Sequence, residues 1–135
     1  MSDVKKFAGI ETFTTVCRVE VANETPPGYN IAIVGVGLEF TYREGGTYTT
    51  GDPNLNLISG ERRYFYSQVD HCVGKVYCVI RYQRVNGNIG VIDGTQEASP
   101  GKCAEDVKFA IAPAFESAQG SKEPFPRLQL VAKKA

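Results

Sequence analysis

With 135 residues, 42% of them hydrophobic and 22% charged, the chain has the make-up of one globular domain rather than a disordered segment. Fifteen basic side chains balance fifteen acidic ones, which argues against nucleic acid or an anionic membrane as partner. Seven Tyr and seven Phe, with no Trp, one Met and frequent punctuation by fourteen Gly and seven Pro, favour short strands over a helical bundle.

Taken in chain order, Met1–Lys6 leads into no apolar stretch of the kind a secretory signal needs, and no apolar run nears the ~20 residues of a membrane helix. On that ground alone the cytoplasm is favoured. Residues 11–22 alternate, with Phe13, Thr15, Cys17, Val19 and Val21 on one face and Thr12, Thr14, Arg18 and Glu20 on the other, as in a half-buried strand. Asn23-Glu24-Thr25 has the form of a glycosylation acceptor, but without an export signal it reads as chance. Thr25-Pro-Pro-Gly28 ends the strand, since neither proline can donate to a ladder.

Tyr29–Arg43 is the longest apolar run. A period of two puts Ala32, Val34, Val36, Leu38, Phe40 and Tyr42 on one face and Ile31, Ile33, Gly35 and Gly37 on the other. Gly35-Val-Gly37 after an apolar strand has the opening of a dinucleotide-binding turn. The third glycine of that fingerprint is missing, however, because Phe40 stands there and the alternation continues, so a buried glycine-bearing strand is the better reading. Glu44-Gly-Gly46 turns the chain into a short strand at 47–50, beside Tyr42. After Gly51-Asp-Pro-Asn54, a short strand is expected around Leu55, Leu57 and Ile58, followed by one at 62–69.

The segment 75–95 carries the clearest local signal. Val76–Val85 and Asn88–Thr95 flank Asn86-Gly87, which suits a two-residue type I′ hairpin because both residues tolerate positive φ. Such a turn pairs Val85 with Asn88, Arg84 with Ile89, Tyr82 with Val91 and Ile80 with Asp93. Cys78, Ile80, Tyr82, Ile89 and Val91 then face the core, and Tyr77, Val79, Arg81 and Gln83 face outward. A slip of one residue would exchange the faces. Residues 105–118 fit either a strand (Val107, Phe109, Ile111, Pro113, Phe115) or a helical stripe (Val107, Ile111, Phe115, Ala118). Pro113 would cost a helix interior ~3 kcal/mol, so an edge strand is favoured. Leu128 and Leu130 mark a last strand. The sum is a single all-β domain over 1–135, an antiparallel β-sandwich of about seven to nine strands, with a small barrel as the alternative.

Cys17, Cys72, Cys78 and Cys103 are expected as reduced thiols, with a bridge from Cys72 to Cys103 or Cys17 as the rival. Asp70-His71-Cys72 raises a thiol enzyme as one functional alternative, although neighbours along a strand point to opposite sides. No spacing fits a zinc or calcium site, and no motif calls for a cofactor. The surface that stands out combines Arg62, Tyr64 and Tyr66 with Tyr77, Arg81 and Gln83. Between residues 62 and 84 five basic residues meet one acid, Asp70. Tyr and Arg are enriched where proteins touch, because each buries area and keeps a polar end. The expectation is a non-enzymatic binding or structural protein that uses this set against a protein partner, another copy of itself included. A glycan or single-stranded nucleic-acid module using the same tyrosines is the second alternative, and a solvated sheet face with cross-strand pairs is the bland reading.

Overall fold

A computed structural model describes residues 16–85, 87–99, 106–114 and 127–134. They form β1 (Arg18–Asn23), β2 (Ile31–Tyr42), β3 (Thr47–Asp52), β4 (Arg62–Tyr66), β5 (Val73–Arg84), β6 (Ile89–Glu97), β7 (Asp106–Ala114) and β8 (Arg127–Lys134). A 3-10 turn at Pro27–Tyr29 bridges β1 and β2. Two four-stranded sheets run β4-β1-β7-β8 and β3-β2-β5-β6. Every neighbouring pair is antiparallel except β1 and β7, which are parallel. This is the expected β-sandwich. At one side β6 packs against β8, and at the other Arg63 of β4 reaches Asp52 of β3 at 3.4 Å.

The core lies between the sheets. Cys17, Val19, Val21, Val107, Phe109 and Ile111 fill it from the first, and Phe40, Val76, Cys78 and Ile80 from the second. The alternation in β1 is as read from the sequence; Phe13 and Thr15 of the same expected face lie outside the described residues.

The structure corrects four sequence readings. The first concerns β2, where the simple period placed Ile31 and Ile33 opposite Val36–Tyr42. Both sets are buried on the same side, because the pairing with β5 shifts between Ile33 and Gly35. Val34 is the extra residue of a bulge, and its carbonyl accepts from the Leu55 N–H at 3.0 Å. The bulge lets one strand bury six large side chains against one core.

The second correction is the hairpin. Gln83 pairs with Ile89, Arg81 with Val91 and Ile80 with Ile92, one residue away from the two-residue register. The Gly87 N–H closes the turn on the Arg84 carbonyl at 2.8 Å, while Asn86 lies outside the described residues. The physical reason is visible at Asp93. The expected register set this carboxylate beside Ile80 in the core, where burial without a partner is costly. The observed one turns it outward to accept from the Tyr77 hydroxyl at 2.6 Å and puts Ile92 inside. Gly90 then faces inward beneath the Tyr82 ring, where a Cβ would meet ring atoms at 2.4 Å.

The third is β7, a strand as favoured but not at an edge: it lies between β1 and β8. Ile111 accepts from the Glu24 N–H at 3.0 Å, so the next residue of that parity, Pro113, meets the space beyond the end of β1. Its missing N–H therefore breaks no ladder bond. The expected strand at 55–58 is reduced to one bridge, Ile33 with Leu57.

Buried Asn23 ties these parts together. Its side-chain amide donates to the carbonyls of Ile31 at 2.8 Å and Leu57 at 2.9 Å. Its side-chain oxygen accepts from the Thr25 N–H at 3.0 Å and the Thr25 hydroxyl at 2.6 Å. Both amide hydrogens are used, so the folded chain presents no glycosylation acceptor there.

Candidate functional site

The six residues singled out from the sequence do not form one surface. Arg62, Tyr64 and Tyr66 lie on the outer face of the first sheet, and Tyr77, Arg81 and Gln83 on the outer face of the second. The cause is strand order: β4 pairs with β1 rather than lying beside β5.

Around Tyr64 on the first sheet the cations are already matched. Arg62 pairs with Glu20 at 3.0 Å and Arg18 with Asp106 at 3.0 Å, and the Arg18 guanidinium lies 5.1 Å from the centre of the Tyr64 ring. That is the pattern of a solvated face held by cross-strand pairs, each worth ~0.2–1 kcal/mol.

The second sheet differs. Its outer rows, counted from the hairpin end, are Ala32–Gln83–Ile89, Gly35–Arg81–Val91, Gly37–Val79–Asp93 and Glu39–Tyr77–Thr95. The hydrogen bond to Asp93 pushes the Tyr77 hydroxyl's pKa above its ordinary value. The Arg81 stem crosses Gly35, whose Cβ position lies 3.5 Å from both the arginine Cδ and the Pro53 carbonyl oxygen. Among the described residues Arg81 makes no ion pair.

Beside this row a cleft of about 550 Å³ adjoins another of about 450 Å³, the two sharing Val34, Asn56 and Gln83. Their floor is the bulged start of β2. One wall is the loop 53–59, held down by Leu55 on Val34 and Leu57 on Ile33; the other is the tip of the β5–β6 hairpin. The rim is aliphatic and exposed: Val85 is 67% exposed, Ile58 53% and Ile89 47%, and Val91, 65% exposed, lies just outside the clefts as the β6 partner of Arg81. Sequence reasoning missed these four. A two-residue turn places Ile89 and Val91 in the core, and the 55–58 strand that would take in Ile58 is reduced to a single bridge. The available signal was Asp93, which only one of the two registers keeps in water.

The reduced reading holds for Cys17 and Cys78 and fails for Cys72. Cys72 is disulfide-bonded, Cys17 and Cys78 are buried thiols, and Cys103 lies outside the described residues. A bonded Cys72 offers no thiolate for His71 to activate. The His71 ring instead rests on Tyr42, 4.5 Å between centres, with Nδ1 at 2.9 Å from the Val69 carbonyl. Burial pushes the Cys78 thiol up to about 12. At pH 8 only about 10⁻⁴ of it is thiolate, the reactive form. Iodoacetamide is therefore expected to spare Cys17 and Cys78 in the folded protein and to modify both on unfolding, with Cys72 modified only after reductant is added. Peptide mapping by mass spectrometry reads the three states.

No helix among the described residues is long and apolar enough to cross a membrane. No protein-family model matches the chain, and no curated protein matches it. One solved structure, described as "Trapped Toxin", is similar at a TM-score of 0.46 and 5% identity over 89% of this chain and 23% of its own. The chain thus spans about a quarter of that neighbour's length. A likeness this loose carries no argument about function.

Proposed function

We propose that this is a non-enzymatic binding protein that contacts another protein, its own copies included, through the outer face of the second sheet at the hairpin end. The observation that carries this is the aliphatic rim of the cleft. An ordinary solvated face takes polar residues at outward positions, and here Val85, Ile58 and Ile89 are left in water around a concave floor, with exposed Val91 beside them on the same face. Full burial of such a side chain is worth ~1.5–3 kcal/mol, so covering the rim supplies several kcal/mol toward the cost of association. Arg81 and Gln83 belong to this surface. Tyr64 and Tyr66 do not, and the glycan or unpaired-base alternative loses the cations it needs to Glu20 and Asp106. The bond at Cys72 favours an oxidising compartment for the protein's work.

The test is a photo-crosslinking amino acid, p-benzoylphenylalanine, placed at Val91 and, separately, at Tyr66, in cells that make the protein. A discrete covalent adduct is expected from position 91 and not from position 66. An adduct of twice the chain mass would mark self-association. No adduct at 91, or equal adducts at both, would remove the proposal.

A further inference from the structure

We infer that the paired clefts take an extended peptide segment whose carboxylate side chain is flanked by aliphatic ones; this rests on the protein-contact reading above and names its chemistry. Four observations converge. Arg81 stands beside the smaller cleft's floor with no ion pair among the described residues, and no described Asp or Glu lines either cleft. A guanidinium offers a planar pair of donors that matches a carboxylate. The rim beside it is aliphatic, with Ile89 and Val91 on the strand next to Arg81. Asn54, Asn56 and Gln83 contribute side-chain amides, each both donor and acceptor, which is what a peptide backbone laid along a groove requires.

The same lining decides against an acidic sugar. No Phe, Tyr or Trp is among the described residues lining either cleft. Sugars gain much of their contact by stacking on rings, and the described lining offers none. The exposed tyrosines Tyr64 and Tyr66 belong to the other sheet.

The experiment is a titration of the isotope-labelled full chain, followed by backbone amide shifts. The probes are acetyl-Val-Ile-Glu-Val-Val-amide, the same peptide with Lys in place of Glu, and a uronic-acid disaccharide. The Glu peptide is expected to shift amides in 53–58 and 81–91, and the Lys peptide to leave them in place. Arg81→Ala is expected to weaken the Glu peptide by about tenfold, the loss of one charge-assisted contact, and Arg81→Glu to reverse the preference toward Lys. The inference is overturned by equal response to both peptides, by no response to either, by shifts on the Tyr64–Tyr66 face instead, or by a response to the disaccharide alone. Should a variant lose its fold, the Glu-against-Lys comparison on the unaltered chain decides. If position 91 crosslinks to a protein while neither peptide binds, the contact surface stands and its chemistry falls. If both fail, both readings fall.

Discussion

Asn23→Ala is expected to destabilise the fold by about 4 kcal/mol, lowering the melting temperature by roughly 10–15 °C. Asn23 is fully buried, and four hydrogen bonds end on its side chain. Truncation strips partners from two carbonyls and from the Thr25 amide and hydroxyl in a place water does not reach. Each unsatisfied buried group costs about 1–3 kcal/mol, partly offset where a carbonyl keeps another bond, as Leu57 does with the Ile33 N–H at 2.9 Å. Asn23→Asp should be at least as damaging. A carboxylate can still accept from Thr25, yet it cannot donate to Ile31 and Leu57, and it places charge against their oxygens. Thr25→Ala, which removes only the hydroxyl's bond, should cost about 1 kcal/mol. Thermal unfolding of the three variants tests the ranking. An Asn23→Ala loss no greater than that of Thr25→Ala would show that the amide does not hold the β1, β2 and 55–57 segments together.

Phe109→Ala is expected to cost a similar 3–5 kcal/mol by a different route, the cavity left where a ring was packed. Phe109 is fully buried at the centre of the first sheet, opposite Val21 on β1 and Ala132 on β8. A small partner on one side and a β-branched one on the other leave little that could move in to fill the space. Phe109→Leu keeps most of the volume and should lose less than half as much. Urea unfolding with an unchanged slope and a lowered midpoint would identify the effect as lost packing rather than an altered unfolded state. Equal losses for Ala and Leu would mean that ring shape, not volume, is what the core uses.

Local rules carried the sequence reading a long way. Alternation in 17–21 and in 76–82, and the turns at Glu44–Gly46 and Thr25–Gly28, mark strands and their ends because side-chain period and backbone torsion are properties of a few consecutive residues. What they do not mark is pairing. The bulge at Val34 is fixed by Leu55 and by two isoleucines competing for the same core as Phe40. The placement of β4 beside β1 separates Tyr64 from Arg81 although the two lie close in sequence. Half of the expected contact set therefore belongs to a different face, and the cleft is walled by a loop whose fold depends on Asn23, about 30 residues upstream. The one long-range fact that was legible, the cost of burying Asp93, would have returned Ile89 and Val91 to the surface.

The parallel seam between β1 and β7 has a consequence for biosynthesis. Arg18 lies beside Asp106, 88 residues further along the chain. As the polypeptide leaves the ribosome, β2, β3, β5 and β6 can assemble, and β4 can join β1, before that partner has been made. The β7–β8 pair must then slot in after them, onto the waiting side of β1. Until it does, Val19 and Val21 sit on half a sheet, so the nascent chain is most vulnerable to mispairing in the interval before β7 emerges.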